Sequence, residues 1–308
     1  MRTSARAARA LLPVAVSAIL LTLLARQIDF GAALATITKR SLLLLAPALL
    51  AYIALSLWLE AISLVRVLPD AGGRLDMATA ARIKAASYTF GLVHYALGAA
   101  ALVVLLRRKG LLPMAEAAGV VMLISAFDGL ALLGIAAFGS AFTSHAPALR
   151  AGLVAALLTA APITLFALRT ERSLGPLDRL RDLRLLRTLR EMSSARLVEL
   201  LALRMLFVVV FIGLGGAALA AFDVRPSLAD LTVGFTLLSL VSLLPIAVAG
   251  LGTGQVAFVY LFRNYADAET LLAASLALSA GTILLRVMLA ATFAREFARE
   301  ALAEAAQS

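Results

Sequence analysis

The chain has no cysteine, two histidines, one tryptophan and only 18 acidic residues among 308. Without cysteine there can be no disulfide, thiolate metal site or cysteine nucleophile, and the redox compartment is left open. His94 and His145 are too few for a histidine metal site. No segment carries paired carboxylates, or a nucleophile with a base and an orienting group in reach, and no nucleotide-binding loop is present. The expectation is therefore a protein without a catalytic constellation, metal or cofactor. Lysine is scarce too: the 28 basic residues include only Lys39, Lys84 and Lys109.

What is present in excess is apolar. Apolar residues make up 62% of the chain and charged residues 15%, with a mean hydropathy of +0.98, outside the range of ordinary soluble domains. The sequence reads as an all-α integral membrane protein. Its net charge of +10 belongs, in a membrane chain, to cytoplasmic loops, so no nucleic-acid partner is needed to explain it. The opening segment, MRTSARAARALLPVAVSAILLTLLARQ, reads as an uncleaved signal anchor, because no small-x-small site follows Leu24.

Apolar runs fall at about 10–25, 42–65, 85–106, 114–138, 148–168, 197–221, 231–265 and 271–293. Reading each as one crossing conflicts with the positive-inside rule. If the N-terminus with Arg2, Arg6 and Arg9 is cytoplasmic, a third simple crossing places Arg107, Arg108 and Lys109 outside, and two more place the arginine-rich stretch 169–196 outside as well. The conflict disappears if 79–106 is a re-entrant hairpin turning near Gly91, His94 and Gly98.

The run 231–265 is the second anomaly. A bilayer takes about 20 residues per helical crossing, so this run is too long for one and too short for two. Pro245, Gly250, Gly252 and Gly254 interrupt its centre. Backbone leaves the helix at membrane depth only where protein or a water-filled cavity satisfies its freed polar groups, so the break predicts a second hairpin beside a polar pocket. Small residues can also serve close helix packing alone.

The resulting order is crossing, crossing, hairpin, crossing, and then the same again with opposite orientation. That is about six transmembrane helices and two hairpins in an inverted repeat. The halves are 1–138 and 148–308 of one membrane domain, with a basic cytoplasmic loop at 169–195. Both termini are expected in the cytoplasm of a bacterial-type inner membrane. Such repeats place substrate sites near the midplane.

The tract LLPIAVAGLGTGQVAFVYLF, the final crossing with Arg286, the crossing with Trp58, the hairpin before Arg107, and SAFDGLALL with Asp128 together resemble the transmembrane, flippase-like module of the lysylphosphatidylglycerol synthase family. The resemblance covers nearly the whole chain and lacks the family's aminoacyltransferase domain. It implies movement of a membrane lipid or lipid-linked headgroup. Two features depart from the pattern: Gln255 stands where a glutamate is common, and FGLVHYALGAA lacks the usual Asn, Pro-Gly and acidic residue.

Ionised groups in the bilayer interior should be buried and paired, which singles out Glu60, Asp128, Arg204 and Arg286. Asp128 and Arg286 occupy corresponding crossings of the two halves and are expected to pair or share a cavity, as a functional couple or a structural ion pair. Arg286 can hold a phosphate bidentately, and His94 can join it or make a packing hydrogen bond. A half-helix beginning near Gln255 would aim its positive end at an anion. The candidate binding residues are thus Pro245, Gly250, Gly252, Gly254, Gln255, Arg286, Asp128 and His94. The LRD, LRL, LRT, LRE run offers Arg181, Arg184, Arg187 and Arg190 either to anionic headgroups or as solvated topology determinants. The expected partners are membrane lipids, anionic or phosphate-bearing. An intramembrane lipid-modifying enzyme using Glu60, Arg82 and Lys84, and a non-catalytic scaffold, are the other classes.

Overall fold

In the computed structural model the described residues are 29–91, 95–109, 111–143, 147–169, 191–243 and 253–305. The expected crossing 10–25, His94, the four loop arginines (Arg181, Arg184, Arg187, Arg190), Pro245, Gly250 and Gly252 lie outside them.

The described elements are all helical: α1 Phe30–Thr36, α2 Lys39–Val67 with a short 3-10 turn after it, α3 Met77–Gly91, α4 Tyr95–Arg108, α5 Met114–Ser140, α6 Pro147–Arg169, α7 Ser194–Ala221, α8 Leu228–Leu243, α9 Thr253–Phe262 and α10 Ala268–Ala305. Among the described residues four segments are long and apolar enough to cross a bilayer, namely Lys39–Ala71, Met114–Ser140, Ser194–Ala221 and Ala268–Phe293. The 23-residue α6 stands where a further crossing is expected.

Helix ends follow capping chemistry rather than the limits of the apolar runs. Thr38 and Ser41 form a reciprocal capping box that starts α2 ahead of its leucine run. The Ser193 hydroxyl accepts from the Arg196 N–H to start α7. At α10 the Asp267 carboxylate accepts from the Thr270 N–H at 2.8 Å. α1 was not legible from hydropathy. Asp29 caps it by accepting from the Gly31 and Ala32 N–H groups, and Ala33 packs on Leu272 of α10.

Two helical hairpins form. α3 and α4, with 15 and 14 residues, are each about 21–23 Å long at 1.5 Å per residue, short of the roughly 30 Å hydrocarbon core. They cross at two glycines: a methyl group on Gly98 would come within 2.8 Å of the Gly91 Cα. Both ends of this hairpin lie at one end of the bundle. A methyl on Gly73, before α3, would meet the Leu111 carbonyl, after α4, at 3.0 Å. Leu68, Leu106, Leu112, Met192 and Leu197 share one apolar cluster there, and Arg66 reaches Glu199 at 3.1 Å. This is the basic end, carrying Arg66, Arg74, Arg107, Arg108 and Arg196.

The second hairpin, α8 and α9, has 16 and 10 residues and opens the other way. The Tyr265 hydroxyl, just after α9, donates to the Asp230 carboxylate in the first turn of α8. Nearby, Arg40 and Asp223 tie the start of α2 to the end of α7. Gly234 lets the Phe262 ring approach, since a methyl there would sit 2.5 Å from it. Phe211, Phe235 and Phe258 continue this packing at centroid separations of 5.6 and 5.7 Å. The two hairpins thus enter from opposite ends. Leu43, Leu50, Leu55 and Trp58 on α2, with Leu284, Val287 and Met288 on α10, are exposed, as a bilayer-facing surface requires.

Candidate functional site

A cavity of about 420 Å³ lies between the hairpins and the crossings α2, α5, α7 and α10. Along the helices most of its charged groups sit in the half of the bundle nearer the basic end, with Asp128 at the middle of its helix. Lys84 is about 10 Å along α3, and Glu60 about 10 Å from the end of α2. Arg204 and Asp128 are about 15 and 21 Å into α7 and α5.

Five acidic and basic side chains among the described residues line it: Glu60, Lys84, Asp128, Arg204 and Arg286. They are not equivalent. Lys84 Nζ lies 3.1 Å from Glu60 Oε1, and the Tyr88 hydroxyl donates to the other oxygen of the same carboxylate. Arg204, 1% exposed, donates to Asp128 at 3.3 Å, to the Leu59 carbonyl at 2.9 Å and to the Ser63 hydroxyl at 2.6 Å. Asp128 therefore pairs with Arg204, while it shares the cavity with Arg286.

Arg286 has a different environment. It donates to the Tyr52 hydroxyl at 3.4 Å, and its guanidinium lies 5.1 Å from the Tyr88 ring centroid. Among the described residues no carboxylate stands within ion-pair distance of it, and its Nε, like that of Arg204, is buried without a hydrogen-bond partner. Glu60 fixes Tyr88, and Tyr88 supports Arg286, so the guanidinium is held between two aromatic side chains. A stripe of hydroxyls precedes it along α10: Ser275, Ser279 and Thr282 all reach the cavity wall, spaced as one helical face.

Of the other residues expected to bind, Gly254 lines the cavity and a methyl there would meet nothing within 4 Å. Gln255 is 2% exposed and turns its amide nitrogen to the Ser279 hydroxyl at 3.4 Å. It is not among the residues that line the cavity. The half-helix expected near Gln255 begins at Thr253. Pro245, Gly250, Gly252, His94 and the four loop arginines fall outside the described residues. Of the trio considered for a transferase, Glu60 and Lys84 line the cavity, whereas Arg82 is exposed.

Several cavity residues carried no individual signal in the sequence. Tyr52, Tyr88, Ser87 and Ser279 look like ordinary polar residues of apolar helices, and only the packing of α2, α3 and α10 brings Tyr52 and Tyr88 to Arg286 and Tyr88 to Glu60. Tyr88 and Lys84 at i and i+4 on a short helix were the available clue. Among the described residues no group of three or more His, Cys, Asp or Glu could hold a metal ion.

Apolar helices long enough to cross a bilayer, packed with two opposed helical hairpins around a charged cavity, define a polytopic helical membrane protein. The chain belongs to the family described as the lysylphosphatidylglycerol synthase TM region, which it matches over residues 10–290. This places it among membrane proteins with lipid-related roles. No curated protein matches the chain.

Proposed function

We propose that the protein carries a lipid, or a lipid-linked headgroup, between the two leaflets. The headgroup occupies the cavity while the acyl chains stay in the bilayer. The observation that supports this most is Arg286, a cation inside the bundle with no carboxylate partner among the described residues. An unpaired intramembrane charge is costly and marks a substrate path by default, and a guanidinium fits a phosphate with two parallel hydrogen bonds.

A carrier fits the site better than an enzyme. Glu60 and Lys84, the available acid and base, are engaged with each other and with Tyr88. In this reading the partners are anionic or phosphate-bearing lipids, no cofactor takes part, and Arg181, Arg184, Arg187 and Arg190 add a basic surface for headgroups. The protein sits in a bacterial-type inner membrane with the basic end and both termini in the cytoplasm. Residues 1–138 and 148–308 act as the two halves of an inverted repeat that rock about the cavity.

Reconstitution into liposomes with labelled anionic, aminoacylated, hopanoid and polyprenyl-linked lipids tests it. At least one should cross faster than in protein-free liposomes. Folded protein that accelerates none of them points to a scaffold subunit instead.

A further inference from the structure

The cavity carries an uneven charge inventory. Two of its three cations already hold a carboxylate each, Lys84 on Glu60 and Arg204 on Asp128. Arg286 is left over, so among the described residues the lining has one positive charge in excess. Both carboxylates are committed, and the remaining polar side chains of the described lining are hydroxyls, among them Ser239, Ser275, Ser279, Thr282 and Tyr52.

We infer that the cavity is matched to a guest with a single negative charge, a phosphodiester whose remaining headgroup is uncharged and hydroxyl-bearing, and that it discriminates against cationic, aminoacylated headgroups. The inference rests on the reading that a lipid headgroup enters this cavity. In a low-dielectric site a guest is held best when the combined charge is near zero. One phosphodiester on Arg286 achieves this, and that guanidinium uses only one of its five N–H donors on Tyr52.

A second phosphate would find no further uncommitted cation among the described lining residues. An added ammonium would need Glu60 or Asp128, and taking either leaves Lys84 or Arg204 as a buried, unpaired cation. Arg204 is the more demanding of the two, since it is almost wholly enclosed. The hydroxyl stripe on α10 suits a glycerol- or sugar-like headgroup, which both donates and accepts. The family takes its name from a lysyl-bearing lipid, and the described lining of this cavity has no carboxylate to spare for one.

Native mass spectrometry of the purified full chain tests this, with each lipid offered singly. The probes are phosphatidylglycerol (one negative charge), phosphatidylcholine (zwitterionic), lysyl-phosphatidylglycerol (cationic) and fully ionised phosphatidic acid (two negative charges). Phosphatidylglycerol should bind on the order of tenfold more tightly than the others, the scale of one charge-assisted contact. Glu60→Gln raises the excess to two positive charges and should move the preference toward phosphatidic acid. Arg286→Gln should erase the preference. If Glu60→Gln does not fold, the ranking by the natural chain decides alone.

Equal binding across the four lipids, or preference for the cationic one, overturns the inference. Soluble glycerophosphoglycerol binding as tightly as the lipid keeps the charge rule and assigns the site to a tail-free phosphodiester. A charge-ranked series with no lipid movement in liposomes upholds the inference and defeats the carrier reading, and movement of every lipid alike does the reverse.

Discussion

Arg204 and Asp128 meet at 3.3 Å between α7 and α5, with Arg204 completed by Leu59 and Ser63 of α2. One guanidinium thereby ties three crossings together. The pair is a structural joint of the cavity, and it commits Asp128 so that this carboxylate does not neutralise Arg286.

Asp128→Asn should destabilise the folded protein by about 3–5 kcal/mol, the usual cost of stranding one member of a buried pair. Replacing Arg204 by Met in the same chain should recover much of that loss. Thermal unfolding in detergent reads both variants. A neutral effect of Asp128→Asn would show that the pair does not hold the crossings.

Arg286→Gln should behave oppositely. Because no carboxylate is left behind, its thermal stability should match or exceed that of the natural chain. Lipid binding should fall. A strong loss of stability would instead mean that Arg286 is a packing residue.

Gly98→Val should cost about 1–3 kcal/mol, since the added atoms meet the backbone of Gly91, which cannot rotate away. Gly254→Ala, whose methyl meets nothing within 4 Å, should be tolerated. The contrast separates a glycine required by helix contact from one that merely borders the cavity.

The hairpins make a topological prediction that a cysteine-free chain is suited to test. Single cysteines at Arg74 and Lys109, flanking the first hairpin, should react with an impermeant thiol reagent from the same side of sealed vesicles. Ser227 and Ala266, flanking the second, should react only from the other side. Arg74 and Lys109 reacting from opposite sides would convert the first hairpin into a crossing.

Asp267 gives a pH test outside the membrane. Hydrogen bonds from the Thr270 backbone and hydroxyl hold its carboxyl below the ordinary value. Its stabilisation of α10 is present above the unfolded pKa and fades as pH falls through the folded one. Asp267→Ala should therefore lower stability by about 1 kcal/mol at neutral pH, with the difference shrinking in acid.

Much of this arrangement was readable from hydropathy and basic charge. The placement of Arg107 and Arg108 forced the first hairpin, and the length of 231–265 forced the second. Asp128, Arg204, Glu60 and Arg286 stood out because charge inside an apolar helix is costly. Which cation holds which carboxylate was not readable, since partner choice depends on helix rotation that a uniformly apolar helix does not encode. For the same reason Gln255 looked like a ligand by position and proves to face Ser279. α1 was hidden because a seven-residue helix outside the membrane leaves no hydropathy signal.

The central claim is that Arg286 receives the phosphate of a lipid that the protein moves. Its most direct test is the loss rate of labelled phosphatidylglycerol from the inner leaflet of liposomes holding equal amounts of folded natural chain or Arg286→Gln. The account predicts accelerated loss for the natural chain and a rate close to protein-free liposomes for the variant. Equal acceleration by both, with the variant's fold intact, would contradict it.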